Sequence, residues 1–241
     1  MKTRILLIAL AGAAILTAFL LWKNAAPGEG DGFVVILLYH TFTDGEITDP
    51  DLYTTAEKFE QDIQTLLDMG LRPLSLYDWH EGNYKPNGRY FTVTFDDGYL
   101  TNYEIAFPIL KRLGCYADIF INTDNVYMEH HFSYGQAREM EESGLVAVHS
   151  HFPVHERATE YAPGEFIRLL EQSFDTLERE LGARKHRFFA YPYGSHSRET
   201  FDAAASAGVD LQFVQDKLFD APGLAVRINV AYGADVAPLI P

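Results

Sequence analysis

The stretch YFTVTFDDGYLTNY, residues Tyr90–Tyr103, places two adjacent carboxylates at the end of an apolar, strand-like run. Apolar residues alternate with threonines from Phe91 to Phe95, which is the period of a β-strand. Asp96 and Asp97 follow directly, and a glycine then ends the pattern. A DDG tripeptide alone is typical of a turn, but neighbouring like charges repel each other and are costly to bury. Two acids delivered to one point by a strand therefore indicate a possible site.

Strand-like and helix-like segments alternate along most of the chain on either side of this stretch. Four strand-like runs end in polar residues, at His40, at Asp96 and Asp97, at His149–His151 and at Tyr191–Gly194. Repeated strand–helix units favour a parallel sheet, open or closed into a barrel, in which the carboxyl ends of the strands share one edge. The sequence therefore predicts an α/β fold whose polar strand ends meet.

One further segment has a strand-like pattern and is followed by aromatic residues. LRPLSL, residues 71–76, has the alternation of an edge strand. Tyr77 and Trp79 follow it, so we expect them in a loop that could contact a ligand through aromatic rings.

Composition limits the class of partner. The chain has 241 residues, of which 47% are hydrophobic and 22% are charged, as in an ordinary globular protein. Its formal net charge of −15 disfavours nucleic acid as a partner, since the phosphate backbone is itself anionic. The single cysteine, Cys115, cannot form an internal disulfide and suits a buried core position. We expect a monomer.

The N-terminus has the pattern of a membrane anchor. Lys2 and Arg4 precede an uncharged stretch from Ile5 to Trp22, whose length is at the lower bound for crossing a bilayer as a helix and exceeds that of a typical signal-peptide core. The following residues make a poor cleavage site around Ala26, so an uncleaved anchor is favoured over a removed signal peptide. We therefore predict a signal-anchor over residues 1–24, a linker over residues 25–32 and a globular domain over residues 33–241.

Three histidines lie close together in VAVHSHFPVHERA, at positions 149, 151 and 155. Two histidines and one carboxylate can hold zinc and leave a position open for water. His151 and His155 are four residues apart and could reach one ion, although His149 leaves a second register open. An isolated His-x-x-x-His is more often a solvated loop. Beside a strand-end acid pair, it predicts a metal site.

The acid pair has a rationale if the two carboxylates have different roles. A metal bound by Asp97 would compensate that charge, and Asp96 would be free to act as general base on a zinc-activated water. Two histidines and one carboxylate also occur in non-haem iron oxygenases. Those enzymes have a jelly roll of antiparallel strands, whereas this chain alternates strands with helices.

Three motifs in this order resemble those of the polysaccharide deacetylases, metal-dependent hydrolases that remove acetyl groups from glycans. They are TFDDGY at 94–99, SHFPVH at 150–155 and YPYG at 191–194. The resemblance runs from about Val34 to Val230, and LLYH near its start and RINV near its end fit the branch resembling poly-N-acetylglucosamine deacetylases. It implies an irregular, incomplete (β/α) barrel, a divalent metal ion such as Zn²⁺ and an acetylated polysaccharide substrate. Such substrates lie outside the cell, so the anchor is expected in the cytoplasmic membrane with the catalytic domain extracytoplasmic.

The resemblance also implies roles for the residues of the first two motifs. Asp96 corresponds to the general base, and Asp97, His151 and His155 correspond to the metal ligands. No cofactor other than the metal is implied. Phe152 stands where the family usually has Thr or Ser after the first ligand histidine, which removes a hydroxyl group that helps to fix the loop.

Two further roles come from the ends of the resemblance. Many relatives take their general acid from a C-terminal histidine, but no histidine follows His196 in this sequence. In the branch with an N-terminal Tyr-His the histidine there occupies the equivalent place, which makes His40 the candidate acid. The backbone N–H of Tyr193 is expected to stabilise the oxyanion.

One departure from the family pattern leaves an alternative function open. Ala190 stands where many relatives have an arginine that orients the catalytic base. Arg187 or Arg227 could take its place. If neither does, the chain could instead be a glycan-binding protein of the same fold that retains the metal but lacks turnover.

Overall fold

The computed structural model describes residues 32–241. The predicted anchor over residues 1–24 and the linker as far as residue 31 lie outside the described residues. Within residues 32–241, no helix combines the length and the apolar character needed to cross a membrane. The described part therefore corresponds to the segment predicted as the globular domain.

Parallel strands dominate the described chain. The main sheet contains β1 Phe33–Tyr39, β4 Arg72–Pro73, β5 Arg89–Phe95, β6 Ala117–Ile121, β7 Val146–Ser150, β8 Phe188–Ala190, β9 Leu211–Val214, β10 Leu224–Val226 and β11 Ile228–Asn229. A separate pair consists of β2 Thr41–Phe42 and β3 Tyr53–Thr54. The order in the main sheet is β10-β9-β8-β7-β6-β5-β1-β11, and β4 also pairs with β5. Every pairing is parallel, as the strand–helix alternation predicts.

The sheet nearly closes into a barrel through one short segment. β10 pairs with β9, whereas β11 pairs with β1 at the other end of the strand order. Only Arg227 separates these two strands, and its N–H donates to the carbonyl oxygen of Val214 at 2.9 Å. The barrel is irregular because β7 and β8 share a single registered pair, Ser150 and Phe189. The predicted irregular (β/α) barrel is thus confirmed.

Helices cover the outside of this barrel. They are α1 Ala56–Asp68, α2 Leu76–Glu81, α3 Phe107–Leu113, α4 Tyr134–Glu142, α5 Pro163–Leu181 and α6 Arg198–Ser206. A π-helical turn, Asn102–Ala106, leads into α3, and a single 3₁₀ turn spans Pro192–Gly194. Several helices begin at a side-chain cap, as at Thr55, whose Oγ1 accepts the N–H of Lys58 at 3.1 Å.

The hydrophobic residues form two cores, one on each side of the sheet. The outer core lies between the strands and the helices, where Phe59 of α1 packs edge-on against Tyr39 and Phe42. The inner core fills the barrel with residues from several strands, among them Phe120 and Phe213. Leu76 of α2 belongs to this inner core, so α2 closes the end of the barrel at which the strands begin.

The predictions for residues 71–79 are wrong in two respects. The strand ends after Pro73, because Ser75 caps α2 by accepting the N–H of Asp78 at 3.1 Å. Tyr77 and Trp79 therefore lie on a helix that packs against the inner core, at the end of the barrel opposite the polar strand ends.

Candidate active site

A cavity of about 550 Å³ opens at the carboxyl ends of the strands. Its lining includes His40, Asp96, Asp97, His151, His155 and Tyr193, which are all of the site residues predicted from the sequence. Asp49, Asp51, Leu52, Tyr99, Asn122, Asn125, His131, Gln215 and Asn229 complete the lining. Because every strand of the barrel is parallel, residues far apart in the sequence meet at this one edge.

Three side chains converge as a possible set of metal ligands. One ligand atom each from Asp97, His151 and His155 lies within 4.8 Å of the other two. Oδ1 of Asp97 is 3.3 Å from Nε2 of His155 and 3.5 Å from Nε2 of His151. A carboxylate and two imidazoles in this arrangement are suited to a dication such as zinc.

The protein holds His151 in the tautomer that a metal requires. Its Nδ1 lies 2.8 Å from the carbonyl oxygen of Ala190, which can only accept, so Nδ1 carries the proton. The lone pair of Nε2 is therefore directed toward Asp97. Burial lowers the pKa of His151 to about 4, which keeps the ring neutral. The backbone is fixed as well, because its N–H donates to Ile121 and its carbonyl accepts from Asn122.

The carboxylate of Asp97 is incompletely hydrogen-bonded within the described residues. Its Oδ1 is buried and forms no hydrogen bond with any of residues 32–241. Burial, and next the neighbouring charge of Asp96, raise its pKa to about 6. Such an orphaned acceptor, facing two imidazole nitrogens, is what a bound cation would satisfy. The residues present therefore fit a metal ion.

Left-handed backbone at two successive residues turns Asp97 toward the histidines. Asp97 has φ of 71° and Gly98 has φ of 79°. Aspartate adopts this conformation at lower cost than most residues. A Cβ at Gly98 would lie 2.9 Å from Cγ2 of Ile121, so the turn requires glycine for space as well as for conformation.

Asp96 has a different partner from its neighbour. Its two carboxylate oxygens each accept a hydrogen bond from the guanidinium of Arg227, both at 2.6 Å. Burial opposes ionisation of Asp96, but Arg227 outweighs it and lowers the pKa to about 2. Arg227 is itself buried, with its guanidinium 5.0 Å from the ring centre of Phe120. Asp96 is therefore ionised at neutral pH and rigidly held.

Of the two arginines that the sequence offered as a partner for Asp96, Arg227 is the one that binds it. Arg187 is directed away from the cavity, with Nη2 3.1 Å from Oε1 of Glu178 and its guanidinium over Phe174. Arg227 reaches Asp96 from the seam where the barrel closes. The guanidinium that binds Asp96 therefore comes from Arg227 and not from position 190, where this chain has an alanine.

The other predicted catalytic residues lie at the cavity wall. The backbone carbonyl of His40 accepts a hydrogen bond from Asn102 at 2.7 Å, and its Nδ1 is buried without a partner among residues 32–241. Tyr193 is at the rim with 55% of its surface exposed. Its ring lies 4.3 Å from that of His155 and 4.6 Å from the guanidinium of Arg157. The role predicted for its backbone N–H stays a prediction.

His149 is placed apart from the ligand set. Its Nε2 lies 2.7 Å from Oδ1 of Asp118, and both side chains are buried inside the barrel. The other oxygen of Asp118 accepts the N–H of Leu76 at the start of α2. His149 thus joins β6 and β7 to α2, and of the two registers it is His151 that faces Asp97.

Sequence reasoning missed several residues of the cavity. Asn122 directly follows β6, and Asn229 ends β11. Their position at or just after the end of a strand was a usable signal, because the same rule identified the histidines and aspartates. Asp49 and Asp51 lie in the segment between β2 and β3, which has no strand-end pattern.

Known proteins are similar to this chain in sequence or in fold. The chain is similar to YxkH of Bacillus subtilis (strain 168), with 28% identity over 203 residues that cover 82% of this chain and 68% of that protein. IcaB from Ammonifex degensii has 26% identity and a TM-score of 0.73, covering 84% of this chain and 93% of its own. BC0361, a polysaccharide deacetylase from Bacillus cereus, shares the fold with a TM-score of 0.74 at 24% identity, covering 86% of this chain and 67% of its own.

A family model gives the most direct assignment. The model described as polysaccharide deacetylase matches residues 83–211, which is more than half of the chain. The matched range contains the acid pair, the histidine motif and the YPYG turn. The resemblance inferred from these motifs is confirmed, and the chain belongs to the polysaccharide deacetylase family.

Proposed function

We propose that this chain is a metal-dependent hydrolase that removes N-acetyl groups from an extracytoplasmic polysaccharide of the poly-N-acetylglucosamine class. One observation carries the proposal. The floor of a single cavity holds three converging metal-ligand atoms beside a carboxylate that a buried arginine keeps ionised. Family membership supports the deacetylation of a glycan, and the LLYH and RINV segments favour the N-acetyl substrate.

The metal would be held by Asp97, His151 and His155. Zinc suits this donor set of two imidazoles and one carboxylate. When bound there, such a dication polarises the acetyl carbonyl and lowers the pKa of a water molecule. The unpartnered Oδ1 of Asp97 supports this assignment.

Asp96 is suited to accept the proton of the attacking water. Arg227 keeps it ionised and fixes both of its oxygens, and each oxygen still has a lone pair beyond the one that Arg227 uses. As the water oxygen bonds to the acetyl carbon, its proton passes to Asp96. The carbonyl oxygen gains negative charge, which the N–H of Tyr193 is proposed to stabilise.

His40 is proposed to complete the reaction as the general acid. Breaking the C–N bond releases acetate and leaves an amine that must gain a proton. His40 lines the same cavity as Asp96, from the end of β1. Its Nδ1 has no protein partner among residues 32–241, and the ring can present a proton to the leaving nitrogen.

The contact between Arg227 and Asp96 argues against the alternative of a glycan-binding protein without turnover. That alternative depended on the absence of an arginine at position 190. Arg227 holds Asp96 with the bidentate geometry that such an arginine would provide.

The first prediction separates the roles of the two acids. Asp96→Asn is expected to keep its metal and lose acetate release by roughly two to four orders of magnitude, since it removes a positioned base. Asp97→Asn exchanges an anionic ligand for a neutral one and tolerates the left-handed backbone, so it should lose metal first and regain some activity in excess zinc. The measurements are metal content and acetate release from chitooligosaccharides and poly-N-acetylglucosamine, with and without a chelator. Equal metal loss in both variants, or wild-type activity after metal removal, would contradict the proposal.

A second prediction concerns Arg227. Arg227→Lys keeps the charge but loses the two-pronged contact, so Asp96 shifts and kcat should fall roughly 10²-fold. Arg184→Lys is a matched control, because Arg184 binds Glu141 in the same bidentate way, at 2.6 and 2.8 Å, away from the cavity. Both variants should lose thermal stability, but only Arg227→Lys should lose kcat per folded molecule. An equal kcat in the two variants would mean that Arg227 is structural only.

The third prediction tests His40 as the acid. His40→Ala should keep its metal and lose roughly 10²–10⁴-fold in the rate of amide hydrolysis. An aryl acetate has a leaving group that departs without a proton, so the variant should hydrolyse it at close to the wild-type rate. Asp96→Asn should fail on both substrates. A similar loss by His40→Ala on amide and ester would exclude it as the proton donor.

The fourth prediction concerns location, for which the N-terminal pattern is the support. The protein is proposed to be anchored in the cytoplasmic membrane by residues 1–24, with its catalytic domain outside. We expect the full chain in the membrane fraction, and protease added to spheroplasts should digest the catalytic domain. A soluble product beginning near Ala26 would contradict the anchor, and a protected domain would contradict export.

A further inference from the structure

A second group of metal-ligand side chains lies at the opposite end of the barrel. One ligand atom each from His80, His186 and Asp210 lies within 4.8 Å of the other two. Nδ1 of His186 is 3.5 Å from Oδ2 of Asp210, a separation compatible with two ligands of one ion. The deacetylation mechanism uses none of these residues.

The three residues come from three different elements. His80 lies on α2, His186 lies two residues before β8, and Asp210 directly precedes β9. The amino ends of parallel strands share an edge just as their carboxyl ends do, and α2 closes the barrel at that edge. An ion bound here would connect α2 to the beginnings of two strands.

The surrounding groups orient the candidate ligands. Nε2 of His186 lies 3.0 Å from Oε1 of Glu81 and donates to it, so Nδ1 is the ring nitrogen that faces Asp210. Oδ2 of Asp210 accepts the backbone N–H of Arg187 at 2.9 Å, which fixes the carboxylate. A carboxylate behind a ligand histidine is the usual outer partner in zinc sites.

Aromatic packing holds the two imidazole rings against each other. The ring centres of His80 and His186 are 4.6 Å apart, and both rings pack on Phe188, at 5.4 and 5.9 Å. The two carboxylates of Glu81 and Asp210 give the place a charge that suits a cation, and Lys185, which binds Glu81, compensates part of that charge. Two imidazoles and one carboxylate favour zinc among the abundant dications.

We propose that His80, His186 and Asp210 form a second metal site, which takes a transition-metal dication such as zinc and fastens α2 to the barrel. Its role is to stabilise the fold, because an ion that binds only the folded chain raises stability with its concentration. It stands apart from the deacetylase centre, and the failure of either assignment leaves the other intact.

The experiment counts zinc in the full chain, purified in detergent with a tag that contains no histidine. After metal removal and titration with zinc alone, the wild type is expected to bind two ions per chain. His186→Ala should bind one and keep its acetate release, whereas His151→Ala should bind one and lose it. His130→Ala, an exposed histidine outside both sites, is the matched control and should bind two.

Two gentler variants cover the case in which His186→Ala fails to fold. Asp210→Asn keeps the acceptor for Arg187 and removes only the anionic ligand, and Glu81→Gln alters only the outer partner. Each should weaken the second ion about 10–100-fold without affecting the first. Zinc should raise the Tm of His151→Ala, but not that of the His151→Ala/His186→Ala double variant. A zinc count that none of His186→Ala, Asp210→Asn and Glu81→Gln lowers, or one that His130→Ala lowers equally, would overturn the proposal.

Discussion

The structure depends on the buried contact between Arg227 and Asp96. Two charges removed from water are tolerated only when each satisfies the other, and the bidentate geometry at 2.6 Å does so for both carboxylate oxygens. Arg227 also lies between the two short strands that close the barrel, where its N–H bonds to β9. The residue that compensates the charge of Asp96 therefore lies on the segment that joins the two ends of the sheet. Losing this contact would leave a buried charge at the seam, so closure of the barrel and the electrostatics of the cavity depend on the same residue.

This contact also explains how two neighbouring aspartates can occupy one strand end. Asp96 continues the direction of β5 and donates its N–H to the carbonyl oxygen of Tyr39 on the adjacent strand. At Asp97 the backbone becomes left-handed, and the second carboxylate turns toward His151 and His155. Arg227 compensates the first charge, whereas Oδ1 of the second carboxylate accepts no hydrogen bond from any residue that the structure describes. The two acids thus differ in environment although they are adjacent in sequence, and their pKa values move in opposite directions.

The sequence predicted the parts of this arrangement that depend on local pattern, and it could not predict those set by closure of the barrel. Strand period followed by polar residues located His40, the acid pair and the histidine motif at one edge. Arg227 is 131 positions from Asp96, in a strand-like segment that gives no local sign of their contact. Periodicity also could not separate His149 from His151, because residues two apart in a strand face the same side. Only the depth of each within the barrel distinguishes them. The helix at 76–81 was missed because a serine cap outweighed an alternating pattern too short to form a strand.

The same parallel topology places metal-ligand residues at both ends of the barrel, but in surroundings that favour different roles. At the carboxyl ends, Asp97 has an oxygen with no hydrogen-bond partner in the described part of the chain, beside a cavity of about 550 Å³ that leaves room for a substrate. At the amino ends, Asp210 and His186 already have partners in Arg187 and Glu81, and the rings pack on Phe188. An ion at the carboxyl ends would gain its affinity from Oδ1 of Asp97, a buried acceptor to which no described residue donates. At the amino ends, preformed outer contacts would lower the cost of ordering the ligands, and binding would stabilise the attachment of α2. Packed aromatic side chains such as Phe120 and Phe213 fill the interior of the barrel between its two ends. The two ends can therefore serve catalysis and stability separately.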